Sequence, residues 1–259
     1  MNKNLLQKYP VTILFILLGI SFSIYYREAQ ISAKKFRREF GSEVGKVTVT
    51  IKNKIFNYET VLRAGISLFK ASDNVNRKEW RDFSKSLELV KNWPGIQGLG
   101  YSVAVSAKDK QKHIDSIRSE GFKAYTIRPK GERKEYSSII FLEPFDWRNK
   151  RAFGYDMWSN EVRKEAMKLA RDSGEPKFSG KITLVQETDK NKQNGFLLYL
   201  PLYKNGVKEL GSVEQRRRNF LGWVYSPFRV NNLFENLEFV KNYQSILKFM
   251  MERTYLIKT

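Results

Sequence analysis

The stretch REAQISAKKFRREFGSEVGKVTVTIKNKIFNYETVLRAGISLFK, residues 27–70, decides how the rest of the chain is read. Its apolar residues fall at Ala33, Phe36, Phe40, Val44, Val47, Ile51, Ile55, Tyr58, Leu62, Ile66 and Phe69. The steps are three, four and four, repeated, or about 3.67 residues per turn. That spacing describes one nearly straight helix with a single apolar stripe, roughly 65 Å long at 1.5 Å per residue. Gly41, Gly45 and Gly65 each weaken it by about 1 kcal/mol relative to Ala. Val47-Thr48-Val49-Thr50-Ile51 is strand-like by composition, and the regular stripe outweighs it. The stripe has two uses: packing on the protein's own body, or a dimer seam that passes movement to a membrane. One helix can serve both along its length.

Immediately before this helix, Tyr9 to Tyr26 carries no charge and centres on Ile13-Leu14-Phe15-Ile16-Leu17-Leu18-Gly19-Ile20. That is near the lower limit for crossing hydrocarbon, with Tyr9, Tyr25 and Tyr26 at the interfaces. A cleaved signal peptide is the alternative, although no small-x-small cleavage site follows Phe22-Ser23-Ile24. A Lys/Arg count alone places the flank with Arg27, Lys34, Lys35, Arg37 and Arg38 on the cytoplasmic side.

Beyond residue 70, Ser72-Asp73-Asn74-Val75 breaks the helix, and Asn76 with Glu79 predicts a capping box. Trp80, Phe83, Leu87 and Val90 mark one face of a second helix, stopped by Trp93-Pro94-Gly95. Strands are predicted at Ile96–Val105, Phe122–Ile127, Ser138–Leu142, Ile182–Gln186, Gly195–Tyr203 and Leu221–Tyr225. A polar helix is predicted over Lys108–Ser119 with Ile114 and Ile117 inward. Another runs from a Ser159 cap to about Asp172, with Val162, Ala166, Leu169 and Ala170 on one side and Gly174 at its end. Asp189–Asn194 and Lys204–Asn219 read as polar connections. Helices followed by strands mixed with short helices give an α+β class.

Composition removes several chemistries. The 259 residues include no Cys and one His, His113, so disulfides, thiol catalysis and multi-His metal centres are excluded. The redox compartment stays open. Aromatics at 14% are ample for a folded core. The formal charge is +20, from 47 Lys+Arg against 27 Asp+Glu. These charges are scattered, and no nucleic-acid-binding motif accompanies Arg216-Arg217-Arg218 or Lys34-Lys35. Basic residues beside an anchor can instead meet lipid headgroups. Gly95-Ile96-Gln97-Gly98-Leu99-Gly100 has the wrong spacing for a dinucleotide fingerprint and reads as a tight strand entry. His113, in a Lys-rich helix, reads as a solvated surface residue. Glu143, Asp146 and Asp156 read as ordinary ion-pairing groups. No motif supports a hydrolase, and no catalytic residue, metal ligand or cofactor is expected.

From Arg63 to Arg229 the chain resembles the CHASE domain, the extracytoplasmic sensor module of histidine kinases, diguanylate cyclases and plant cytokinin receptors. The resemblance is carried by Arg63-Ala64-Gly65-Ile66-Ser67-Leu68-Phe69, Glu79-Trp80-Arg81-Asp82-Phe83 and Pro94-Gly95-Ile96-Gln97-Gly98-Leu99-Gly100. It continues in Tyr136-Ser137-Ser138-Ile139-Ile140-Phe141-Leu142-Glu143-Pro144, Gly154-Tyr155-Asp156-Met157 and Ala170-Arg171-Asp172-Ser173-Gly174. It ends in Leu200-Pro201-Leu202-Tyr203 and Gly222-Trp223-Val224-Tyr225-Ser226-Pro227-Phe228-Arg229.

The resemblance implies an anchor, a long helix and two PAS-like α/β lobes, with ligand in the membrane-distal lobe. It implies residues 1–8 as a short cytoplasmic tail, 9–26 as the membrane span, 27–70 as the stalk and 71–230 as the sensor domain. It thus places the sensor outside the cytoplasm, against the Lys/Arg count. In the family, further strands of the proximal lobe, a second span and an effector follow. Residues 231–259 carry none of these, so the proximal lobe is expected to be incomplete and a kinase or cyclase effector to be a separate protein.

Carried over by resemblance, Asp156 and Met157 align with the receptors' Asp-Met pair. Arg163 then stands where a receptor Asp grips adenine. Ser179 and Tyr199 stand where the receptors have Thr, and Val185 stands at a backbone contact. Glu143–Phe153 aligns only across a gap and carries no site residue. Arginine in place of a carboxylate favours an anionic small-molecule ligand over a purine. The alternative for Arg163 is a solvent-facing residue pairing with Glu161 or Glu165. The expected function is a membrane-anchored, extracytoplasmic small-molecule sensor, dimeric along its stalk and without catalysis. The alternative is a truncated, non-signalling membrane adaptor.

Overall fold

Why the 27–70 stripe is helical throughout is visible in the computed structural model, which describes residues 3–93, 95–187, 194–207 and 210–229. Helix α1 runs over Lys3–Ala71. In its strand-like patch, Thr48 and Thr50 donate their hydroxyls to the carbonyls of Val44 and Lys46, at 2.8 and 2.9 Å. These β-branched side chains are thereby satisfied within the helix. The expectations for the Val90 side chain, Pro94, the Asp189–Gln193 part of a connection, Lys208-Glu209 and residues 231–259 lie outside the described residues.

The chain divides into two units, Met1–Ile55 and Phe56–Thr259. In the first, the apolar run from Tyr9 to Tyr26 is exposed, and α1 is long and apolar enough to cross a membrane by length and composition. Phe36, Phe40 and Val44 of the stripe are exposed, and the rings of Phe36 and Phe40 stack at 6.2 Å. In the second unit the stripe is covered. Tyr58 and Leu62 are buried, and Ile66 and Phe69 pack against the same core. The stripe therefore packs on the body in the second unit, as one of its two expected uses requires, and is exposed in the first.

After α1, the Asn76 side chain accepts from the amides of Lys78 and Glu79, while Glu79 accepts from the Asn76 amide. This capping box starts α2 (Arg77–Ser86), and α3 (Leu89–Asn92) follows. Then come β1 (Leu99–Ser106), α4 (Lys110–Ser119), β2 (Glu135–Glu143) and a 3-10 turn over Met157–Ser159. Next are α5 (Glu161–Ser173), β3 (Lys177–Phe178), β4 (Ile182–Thr183), β5 (Asn194–Tyr203), α6 (Val213–Arg218) and β6 (Phe220–Arg229). The strands form one antiparallel six-stranded sheet in the order β2-β1-β6-β5-β3, with β4 paired to β5. The fold is α+β, as expected.

The sheet is covered on both faces. Leu198, Leu200, Val224 and Tyr101 join Tyr58, Val61 and Leu62 of α1 and Trp80 of α2. On the other face, Leu197, Tyr199, Trp223 and Tyr225 join Ala166, Met167 and Ala170 of α5. Strand side chains alternate between faces, so two covered faces require the continuous apolar runs of β5 and β6. A third cluster sets Ile114 and Ile117 of α4 against Val105, Tyr125, Ile127 and Tyr136.

Four expectations are corrected. Residues 122–127 form no strand. The Tyr125 amide closes a turn on the Phe122 carbonyl, and Arg118 takes the Tyr125 carbonyl at 3.0 Å, so ladder groups are already used. The Ile182–Gln186 strand shrinks to β4, because Leu184–Glu187 closes as a turn at 3.0 Å. Asn160, not Ser159, caps α5, and the Ser159 hydroxyl bonds the Asp156 carbonyl at 2.6 Å. The 204–219 connection contains α6, opened by a Ser212–Gln215 capping box.

Candidate functional site

Helix α5 is turned about one residue from the expected face. Val162 and Leu169 are exposed, and the buried stripe is Arg163, Ala166, Met167 and Ala170. These positions are i, i+3, i+4 and i+7, one face of a helix. An arginine thus occupies the first place of the stripe that packs on the sheet.

Arg163 is 4% exposed, so the alternative of a solvent-facing residue paired with Glu161 or Glu165 does not hold. Glu161 pairs with Lys164 instead, at 3.0 Å. The Arg163 amide donates to Asn160 Oδ1. Its guanidinium donates through Nη2 to the Thr183 carbonyl at 3.1 Å and stands 4.9 Å from the centre of the Tyr155 ring. Nε is buried with no hydrogen-bond partner, and no carboxylate lies within ion-pairing distance among the described residues. A guanidinium is a cation at every working pH. A buried cation without a counter-charge is the costly arrangement in protein interiors.

Tyr199 and Tyr225 face the same core, paired across β5 and β6 with ring centres 6.2 Å apart. Both are fully buried. Burial pushes both phenol pKa values well up, and the Arg163 charge pulls each back down. The Tyr199 hydroxyl reaches only the Met157 sulfur, at 3.6 Å, and a thioether is a weak acceptor. The Tyr225 hydroxyl is buried without any partner. The Tyr225 ring lies against Gly100, where a Cβ would come within 2.6 Å of Cε1. The glycine run read as a tight strand entry thus also admits this ring.

Asp156 is buried, but its carboxylate serves the backbone. Oδ1 accepts from the amides of Ser137 and Trp158, at 2.8 and 3.0 Å. Oδ2 stands 3.4 Å from Arg133. Burial pushes this carboxyl up, against the pull of the Ser137 amide and the Arg133 charge. Ser179 is similarly committed, its hydroxyl donating to the Gly180 carbonyl and accepting from the Leu197 amide. Val185 is half-buried beside the second core, in the turn after β4.

Of the six expected site residues, Arg163, Tyr199 and Met157 are thus brought together. Asp156 and Ser179 carry structural hydrogen bonds, and Val185 sits at the margin. Tyr225 and Tyr155 were not singled out in sequence, because a tyrosine in a strand reads as ordinary core.

His113 is half-buried rather than solvated. It shares a 2.8 Å hydrogen bond with the Tyr125 hydroxyl, which meets Ser138 Oγ at 2.7 Å. Burial pushes the imidazole pKa down, and the Glu120 charge pulls it up. Glu143, Asp146 and Asp156 each have partners of their own. Glu143 pairs with Arg81 at 3.2 Å, and Asp146 accepts from the Arg148 and Asn149 amides. No cluster of three or more metal-binding side chains occurs among the described residues.

No curated protein matches the chain. A family model described as the CHASE domain matches residues 73–252, more than half of the chain. With the motifs from Arg63 to Arg229 folded into one sheet and its covering helices, the chain belongs to the CHASE domain family.

Proposed function

We propose that this protein is the input domain of a membrane-anchored receptor, reading a small molecule outside the cytoplasm. The CHASE family consists of extracytoplasmic sensor domains, which supports the input role. The observation that carries the ligand site is Arg163, a buried guanidinium with an unpartnered Nε and, among the described residues, no carboxylate beside it. A bound anion would supply the missing charge. The sheet order β2-β1-β6-β5-β3 supports reading this unit as one PAS-like lobe.

The signal would leave through β6. Trp223 and Tyr225 face α5, while Val224 between them faces α1. A Cβ on Gly65 would stand 3.0 Å from Val224 Cγ1, so α1 and β6 are in intimate contact there. A ligand that moves Tyr225 would press on α1 through its neighbour. It must bind the two arrangements with different affinity to shift them. The exposed stripe at Phe36 and Val44 would be the seam between two copies, and a kinase or cyclase would be the effector.

The test is a metabolite panel screened by thermal unfolding of the full chain in detergent. At least one small anion is expected to raise the melting temperature of the wild type and to leave Arg163→Ala unmoved. A hit whose shift survives intact in Arg163→Ala would move the ligand site away from α5.

A further inference from the structure

We infer that the cluster of Arg163, Tyr199 and Tyr225 is built to hold a carboxylate, with Arg163 Nε and the Tyr225 hydroxyl donating to its two oxygens. The inference rests on the sensor reading above and names the chemical class of ligand for that same site.

Three side chains from three elements, α5, β5 and β6, bring donors that lack a proper acceptor. Arg163 Nε has no partner, and Nη2 spends its one hydrogen bond on the Thr183 carbonyl. The Tyr225 hydroxyl has no partner. The Tyr199 hydroxyl has only the Met157 sulfur. Buried polar groups are nearly always hydrogen-bonded, and two orphaned donors facing one core are a departure that calls for a cause. Burial keeps both phenols protonated at neutral pH, so each presents an O–H.

A site made of donors and one cation selects a group that only accepts. An ionised carboxylate has two acceptor oxygens and no donor. A purine would need a protein acceptor for its N–H groups. Of the Asp156 carboxylate, Oδ1 is taken by the Ser137 and Trp158 amides, and Oδ2, which makes no hydrogen bond, is turned to the Arg133 guanidinium at 3.4 Å. A phosphate brings a third charged oxygen and up to twice the charge, for which the cluster shows no second cation among the described residues. Met157 is the side chain that would yield. It is flexible, and its sulfur occupies the place that a carboxylate oxygen would fill against Tyr199. Gly100 holds the Tyr225 ring in register, since any Cβ there would strike it.

The probes are sodium formate and sodium acetate, with sodium chloride and sodium phosphate at equal ionic strength. Thermal unfolding of the full chain in detergent is the readout. Formate and acetate are expected to raise the wild-type melting temperature above its value in chloride, in a dose-dependent way. The shift should vanish in Arg163→Met. It should need roughly tenfold more carboxylate in Tyr225→Phe, the loss of one charge-assisted hydrogen bond. In chloride alone Tyr225→Phe should melt no lower than the wild type, because it loses only an unsatisfied buried group.

Carboxylates indistinguishable from chloride, a shift with phosphate alone, or a Tyr225→Phe response equal to the wild type would each overturn the inference. If a neutral metabolite stabilises the wild type while formate and acetate do not, the sensor reading stands and the carboxylate assignment falls. If the carboxylates act through Arg163 while no metabolite does, the carboxylate site stands and the sensor reading falls.

Discussion

Asp172 shows how single residues divide between holding the fold and serving the site. Its carboxylate takes two hydrogen bonds from Arg217, at 2.9 and 2.6 Å, and one from Arg171 at 2.9 Å. Those contacts, Arg217 first, lower its pKa from 3.8 to about 2. A lowered pKa means that the folded state favours the ionised form. The stabilisation is then fully present above the ordinary carboxylate range and is lost as pH falls through the folded-state value of about 2. Asp172→Asn should cost about 1 kcal/mol at neutral pH, discounted because the pair is part-exposed. The gap to the wild type should begin to narrow as pH falls below about 4 and close only as it passes through about 2. A gap that stays constant across that range, in thermal unfolding at each pH, would show that packing rather than charge holds α5 to α6. Arg163 is the opposite case, a buried cation given no such partner by the fold.

Two glycines of α1 look alike in sequence and differ at the scale of the element. Gly45 has nothing within 4 Å of where its Cβ would be, whereas Gly65 would place one 3.0 Å from Val224 and 3.4 Å from the Trp80 ring. Gly45→Ala should therefore stabilise the helix by about 0.5–1 kcal/mol. Gly65→Leu should destabilise the sensor unit by about 1–3 kcal/mol through overpacking. Chemical denaturation of the two variants tests this, and an equal effect at both positions would remove the close contact of α1 with β6. The same contrast explains an error of periodicity. Val162 and Leu169 are apolar and suggest the inward face of α5. The Asn160 cap and the Thr183 carbonyl instead fix the helix with Arg163 inward.

For the molecule as a whole, the anchor reading makes a direct demand. Deleting residues 1–26 should move the protein from the membrane fraction to the soluble fraction, with the thermal unfolding of the sensor unit unchanged. Retention in the membrane after that deletion would assign attachment to the basic surface instead. The family match over residues 73–252 stands apart from that outcome, because the sheet and α5 lie beyond the deleted residues.

Local chemistry made much of this legible without coordinates. The three-four-four stripe predicts α1 because helix geometry repeats at that interval. Asn76 with Glu79, and Gly174 at φ 80°, act within one turn of chain, so α2 and the end of α5 were readable. The apolar runs of β5 and β6 announce strands buried on both faces. Only the tertiary structure decided which apolar face α5 turns inward, that residues 122–127 give their carbonyls to a turn and to Arg118, and that α1 is covered in one unit and exposed in the other. It also decided the site. Arg163 was marked in sequence by resemblance, but its burial, its missing counter-charge and its meeting with Tyr199 and Tyr225 depend on three elements brought together from distant parts of the chain. Short-range patterns are written in neighbouring residues, whereas an unpaired donor is defined by everything that fails to approach it.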